Sequence, residues 1–296
     1  MTVTSALRHL LNSSSVARIV GAHSPLSARL AAEAGFEAIW ASGLEISALA
    51  GVPDANILSM SQSLQAAADI ANAVDVPVLA DCDSGFGSVN NVIDMVHRYE
   101  KAGIAGVCIE DKQYPKLNSF VEGNQDLAPL HDFVAKIIAA THARQDPDFI
   151  IVARIEALIS GAGLDEALRR ADAYTEAGAD ALLIHSKKSS PDEIYAFRDR
   201  YSGKAPLIVV PTTYNTVTAA ELEERGFSAV IYANHAMRGS IVAMQRVLEQ
   251  IIDDGTTRNV EDQIAPLSRV FELQGMGEML SKQAHFEKLA DAQLAQ

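Results

Sequence analysis

Cysteine is scarce: Cys82 and Cys108 are the two in 296 residues. Both stand in apolar, strand-like runs, so they read as reduced core thiols of a cytoplasmic protein rather than a disulfide framework. Basic residues are also few, 24 Lys and Arg against 38 Asp and Glu, for a net charge of −14. That balance argues against a nucleic-acid groove or an anionic membrane surface as partner. It leaves room for a small anionic substrate, because a local Arg, Lys, His and metal cluster overrides the global field. No apolar run is long enough to span a bilayer, and no N-terminal stretch reads as a signal peptide. No low-complexity segment or linker interrupts the chain, which predicts one domain over residues 1–296 with a helical tail from about 258. No GxGxxG follows the first strand-like run, so the dinucleotide fingerprint of a doubly wound sheet is missing and no nucleotide cofactor is expected.

What is present is alternation. Apolar runs at Arg18–Ala22, Ala38–Ala41, Val76–Asp81, Gly106–Glu110, Phe149–Arg154, Ala181–His185, Leu207–Val210 and Ala229–Ala233 read as strands. Amphipathic stretches at Leu26–Ala34, Ser61–Ala73, Val89–Ala102, Leu130–Arg144, Leu164–Ala177, Pro191–Tyr201, Thr218–Arg225 and His235–Asp253 read as helices. Several end in a glycine, such as Gly35, Gly103, Gly178 and Gly226, placed to cap the helix in the left-handed conformation. Eight βα units in succession predict an α/β fold of the (β/α)₈ TIM-barrel type. The segment Val260–Gln296 is helical in pattern and lies outside the eight units. A helical extension of this kind often docks on a partner subunit, which points to a homo-oligomer.

The chemistry is concentrated where the strands end. Asp81 and Asp83 flank Cys82 at the exit of the third strand, before Gly85 and Gly87. Two carboxylates so placed repel unless a cation lies between them, and hard oxygen ligands favour Mg²⁺ or Mn²⁺. A solvated Asp-rich turn is the alternative reading. Glu110 and Asp111 end the fourth strand, Arg154 and Glu156 the fifth, and His185 the sixth. In a (β/α)₈ barrel such ends converge on one face. Three acids, a base and an imidazole from four successive strands suit a small α-keto acid that passes through an enolate. The metal and the backbone N–H groups of Ser42, Gly43 and Leu44 would hold its oxygens, while Arg154 and His185 would hold a carboxylate or phosphoryl group. Asp111 and Glu156 read instead as ordinary ion-pair partners. His235 reads as a helix-start residue, and Trp40 as either core or pocket wall.

Two loops complete the site. The polar segment from Asp111 to Asp126 is long enough to be a lid. Gly51–Asn56 is a second gate, in which Asp54 is a nucleophile, a base or an electrostatic guard, or else forms an Asx turn after Pro53.

The segments WASGLEIS, GVPDAN, ADCDSGFG, EDKQYPKLNS, ARIEALISG, HSKK and ANHAMR together resemble the isocitrate lyase and phosphoenolpyruvate mutase superfamily. The resemblance runs from about Ala22 to ELQG near the C-terminus. It implies a barrel whose eighth helix is exchanged with a neighbour, in homodimers or homotetramers, and a Mg²⁺-bound α-oxycarboxylate. The lyases of this superfamily carry a Lys-[Lys/Arg]-Cys-Gly-His signature in the strand-4 loop, and this chain has no cysteine there. Its EDK-x-x-PK-x-NS is similar to the mutase branch, which interconverts phosphoenolpyruvate and phosphonopyruvate. VPDANILSM is similar to the phosphonopyruvate hydrolases, in which Thr replaces Asn118.

Carried over, the resemblance makes Asp81 the nearest Mg²⁺ ligand, with Asp83 and Glu110 acting through water. Ser42, Gly43 and Leu44 bind the pyruvyl oxygens beneath Trp40. Arg154 and His185 orient the phosphoryl group, joined by Asn118 and Ser119 when the lid closes. Asp54 lies beside that group, and Lys116 stabilises the closed lid. The implied reaction is phosphoryl transfer through a metaphosphate-like species, with water kept out. The alternatives are hydrolysis of phosphonopyruvate and carbon–carbon lysis of an oxaloacetate- or alkylmalate-type acid.

Overall fold

The computed structural model describes residues 1–295. Eight parallel strands close into a barrel in chain order: β1 (Ala17–Ala22), β2 (Ala38–Ala41), β3 (Val78–Asp81), β4 (Gly106–Glu110), β5 (Ile150–Ile155), β6 (Ala181–Ile184), β7 (Leu207–Val209) and β8 (Ala229–Tyr232). The (β/α)₈ expectation holds, with strand boundaries shifted by a residue or two. The largest shift has a simple cause: Pro77 lacks an N–H, and β3 begins after it at Val78 rather than at Val76.

Helices cover the outside of the barrel, as the amphipathic pattern predicts. Three more are present than that pattern marked: α1 (Val3–Leu11), α3 (Gly43–Leu49) and the single turn α7 (Ala157–Ser160). Leu7 and Leu11 of α1 are buried and join the apolar cluster inside the barrel. The others are α2 (Pro25–Glu33), α4 (Met60–Ala71), α5 (Val89–Lys101), α6 (Leu130–Ala143), α8 (Leu164–Glu176), α9 (Asp192–Arg200) and α10 (Ala219–Glu224). A larger cluster fills the layer between strands and helices, including Ile39, Val107, Ile151, Phe133 and Tyr174.

Side chains alternate along each strand. Trp40, Leu79, Cys108, Val152 and Leu183 belong to the inner cluster. Two residues beyond the last four of these stand Asp81, Glu110, Arg154 and His185. The polar set is therefore the next inward-facing step of strands whose preceding steps are apolar. This is why side chains so far apart in sequence arrive at one place.

The chain separates into two compact units, Met1–Met237 and Arg238–Gln296. The second unit holds most of α11 (His235–Asp254), a 3₁₀ turn at Glu261–Gln263, α12 (Leu267–Leu273) and α13 (Met276–Leu294). The helical character expected after Val260 is thus present. No residue of α11 is buried, and its Ile241, Val242, Met244, Leu248 and Ile252 are all exposed. Among the described residues no helix is long and apolar enough to cross a membrane.

Candidate active site

A cavity of about 50 Å³ lies among the β-strand C-terminal ends and the two loops. Of the thirteen site residues expected from sequence, ten line it: Trp40, Ser42, Leu44, Asp54, Asp81, Lys116, Asn118, Ser119, Arg154 and His185. The other three are one contact away. The Gly43 N–H donates to Asp81 Oδ2 (3.2 Å), Lys116 Nζ is 3.0 Å from Asp83 Oδ1, and Arg154 Nε is 3.5 Å from Glu110 Oε2.

The residues after β2 turn directly into a helix. Ser42 caps α3, its Oγ accepting from Glu45 N. Gly43 allows close approach, since a Cβ there would sit 3.1 Å from Asp81 Oδ2 and press on that carboxylate. Trp40 is both of the things the sequence allowed: it is buried in the inner cluster and it lines the cavity.

The acidic half is under-neutralised. Burial drives Asp81 up to about 7 against the pull of Lys116, with Asp83 and Glu110 adding repulsion. Burial also raises Asp83. Glu110 Oε1 is buried with no hydrogen-bond partner, and Asp83 Oδ1 meets Lys116 outside hydrogen-bond geometry. Asp83 holds a left-handed backbone (φ 48°), a conformation an Asp tolerates better than most side chains. Among the described residues no three His, Cys, Asp or Glu side chains converge closely enough to chelate an ion by themselves. The set fits a hydrated hard cation near Asp81, which would relieve the mutual repulsion and supply Glu110 Oε1 with a partner through water.

The basic half is fully partnered, and its centre is a residue the sequence reading set aside. Glu156 is the ion-pair partner expected, paired with Arg154, but it is completely buried and holds the cluster together. It accepts from Arg154 Nε (2.6 Å), His185 Nδ1 (2.8 Å) and Ser119 Oγ (2.7 Å). Burial alone would push its carboxyl up, but Arg154 and His185 hold it well below the usual range. Burial lowers His185 against the pull of Glu156, favouring the neutral ring. Nδ1 stands between Glu156 Oε1 (2.8 Å) and Arg154 Nη2 (2.9 Å); placing the proton on Nδ1 satisfies the carboxylate and leaves Nε2 for a ligand. Asp111 is also buried and does not face the cavity: it accepts from Glu156 N (2.8 Å), Arg170 Nη1 (3.0 Å) and Tyr174 Oη (2.6 Å), tying β4 to β5 and α8. His235 opens α11, exposed, with its ring edge-on to Tyr232.

The lid is closed over Asp54. Lys116 Nζ donates to Asp54 Oδ1 (2.7 Å) and Asn118 Nδ2 to Asp54 Oδ2 (2.7 Å). Burial opposes ionisation of Asp54, but Lys116 and Asn118 outweigh it and hold the carboxyl below its ordinary value. Two residues absent from the sequence-based set secure the loop. Asn56 donates to Asp83 Oδ2 (2.8 Å) and accepts from Lys116 N (2.6 Å). Lys112, buried at the root, donates to Leu117 O (2.8 Å) and Ser119 Oγ (2.7 Å). The available signal for Asn56 was its place in the Pro53–Asn56 turn, and for Lys112 its place in the EDK motif. Phe120, Val210, Thr212, Ala233 and Asn234 complete the cavity wall.

Residues 7–252 match the family model described as phosphoenolpyruvate phosphomutase. A phosphonopyruvate hydrolase from Variovorax sp. (strain Pal2) is 46% identical over 97% of this chain and 100% of its own length. The crystal structure of a phosphoenolpyruvate phosphomutase from Streptomyces platensis subsp. rosaceus superposes with a TM-score of 0.94 at 54% identity, covering 96% of this chain and 99% of that one. A phosphonopyruvate hydrolase in complex with oxalate and Mg²⁺ superposes with a TM-score of 0.92 at 46% identity over 96% of this chain and 99% of its own. With a family model covering most of its length and relatives of this identity and coverage, the chain belongs to the phosphoenolpyruvate phosphomutase family, within the isocitrate lyase superfamily.

Proposed function

We propose that this protein interconverts phosphoenolpyruvate and phosphonopyruvate. The carrying observation is the state of Asp54. Both of its oxygens are engaged, one by Lys116 and one by Asn118, beneath a closed lid. A carboxylate so occupied is poorly placed to take a proton from water, and the lid limits water entry. That combination suits transfer of a phosphoryl group between two atoms of one substrate.

The division of labour follows from charge. Asp81, Asp83 and Glu110 would hold Mg²⁺, directly or through water, and the ion would neutralise the acidic cluster and polarise an enolate oxygen. The Ser42–Leu44 turn would orient the pyruvyl carboxylate through its N–H groups, the Gly43 N–H passing to it from Asp81. Arg154, His185 and Ser119 face the phosphoryl oxygens, with Glu156 holding all three in place. Asn118 stands where its amide can pass from Asp54 to the migrating group. In the reaction the bond from phosphorus to the enol oxygen breaks and a bond to C3 forms. No proton is gained or lost, so no general base is needed.

Hydrolysis of phosphonopyruvate is the second reading. It is favoured by the 46% identity with the Variovorax enzyme across nearly the whole chain. There a water would take the phosphoryl group and C3 would gain a proton. ³¹P NMR of the protein with Mg²⁺ and phosphonopyruvate separates the two. Phosphoenolpyruvate is the expected product, inorganic phosphate would establish the hydrolase instead, and an unchanged spectrum would reject both.

A homodimer or homotetramer completes the proposal, because the apolar side chains exposed along α11 and on α12 and α13, including Phe271 and Phe286, need cover. Sedimentation at micromolar concentration is expected to give a multiple of 31.7 kDa, and a monomer would refute it. The two buried free thiols accord with a cytoplasmic setting.

A further inference from the structure

Glu45 lies outside the set that touches the cavity. It is the third residue of α3, directly after the Ser42–Leu44 turn, and it is completely buried. Its two oxygens have different surroundings. Oε2 is 3.1 Å from His23 Nδ1, just beyond the end of β1. Oε1 is buried without a hydrogen-bond partner among donors. What it faces is revealed by Gly21 on β1. A Cβ at that position would fall 1.7 Å from the Ala233 carbonyl oxygen and 2.0 Å from Glu45 Oε1. The carboxyl oxygen and the carbonyl oxygen thus approach each other across the space a methyl group would fill. Ala233 follows β8 and lines the cavity with Asn234.

Two buried oxygens, each only an acceptor, repel at such an approach. A proton on one of them turns the contact into a hydrogen bond. We propose that Glu45 is a positioning residue that works as a neutral carboxylic acid, donating from Oε1 to the Ala233 carbonyl and accepting at Oε2 from His23 Nδ1–H. The brace ties the end of β8 to the start of α3 across β1, and so fixes the Ser42–Leu44 turn against Ala233 and Asn234. Burial supports the protonated form by raising the Glu45 pKa, with His23 pulling the other way. The alternative is an ionised Glu45 paired with a protonated His23, which leaves the Ala233 contact repulsive. Gly21 is part of the device, because a side chain there would occupy the space the two oxygens share.

The test compares Glu45→Gln and Glu45→Ala. Glutamine keeps both the donor and the acceptor of a neutral acid and none of the charge of a carboxylate. Glu45→Gln is expected to turn over substrate within about threefold of wild type, whereas Glu45→Ala loses roughly tenfold or more, mainly in kcat. An infrared difference spectrum, wild type minus Glu45→Gln at neutral pH, is expected to show the carbonyl stretch of one protonated carboxyl. Equal impairment of the two variants, an unimpaired Glu45→Ala, or no protonated-carboxyl band would overturn the proposal. The turnover arm rests on the phosphonopyruvate reading, but the infrared arm does not. If wild type turns out inactive on that substrate, the band still decides whether the brace exists.

Discussion

The two halves of the cavity are built on opposite plans. Around Asp81, Asp83 and Glu110, negative charge exceeds its local compensation, and Glu110 Oε1 has no partner. Around Arg154, His185 and Ser119, Glu156 gathers every donor at 2.6 to 2.8 Å. The difference separates two tasks. A site proposed to receive a cation is left repulsive, and binding would relieve the repulsion. A site proposed to hold fixed donors for an incoming anion is satisfied in advance, so little reorganisation would accompany binding.

The comparison can be broken at either end. Asp81→Ala removes the proposed Mg²⁺ ligand from the acidic half, and turnover should fall at least roughly a thousandfold with the circular-dichroism spectrum unchanged. Retention of near-native activity at limiting Mg²⁺ would take Asp81 out of the site. Glu156→Gln instead attacks the satisfied half. It strands Arg154 in a buried position and should cost about 3 kcal/mol of unfolding free energy, read from a urea titration. A variant as stable as wild type would mean that Glu156 does not organise the cluster.

Asn118→Ala tests the lid that joins the halves. Loss of one preorganised donor should slow phosphoenolpyruvate formation about a hundredfold while leaving Mg²⁺ and pyruvate binding intact. Asn118→Thr should release some phosphate if the lid sets the outcome. Asn118→Ala with wild-type rates would disconnect the lid from the chemistry. The smallest effect has the opposite sign. With divalent ions chelated, Asp81→Asn should stabilise the protein by about 1 kcal/mol, because it removes one of three mutually repelling carboxylates. If the thermal midpoint falls instead, the acidic half is not repulsive.

Much of this site was legible in one dimension because a barrel strand has a period of two. Once Leu79, Cys108, Val152 and Leu183 face inward, Asp81, Glu110, Arg154 and His185 must follow. Glu156 was expected as an ion-pair partner and is one, but its organising position was not legible, for a related reason. It lies two residues past Arg154, beyond the regular end of β5, where periodicity no longer says which way a side chain turns. Its full burial and its bonds to residues 29 and 37 positions away come from packing. The α3 helix was not among the helices marked from the sequence; a glycine opens it, and the Ser42 cap, formed in three dimensions, offsets that residue's poor propensity.

The order of strands and helices, the acidic excess and the polar strand ends were set by the sequence alone, through local periodicity and composition. The tertiary structure decided which groups are neutralised and which are left wanting. Asp54 acquired its two partners from a lid more than sixty residues away, 62 to Lys116 and 64 to Asn118. The Ala233 carbonyl and Glu45 approach each other only because Gly21, on β1, leaves a space between them. Such pairings depend on the closure of the barrel, which brings β1 and β8 side by side, and no window of neighbouring residues contains that information.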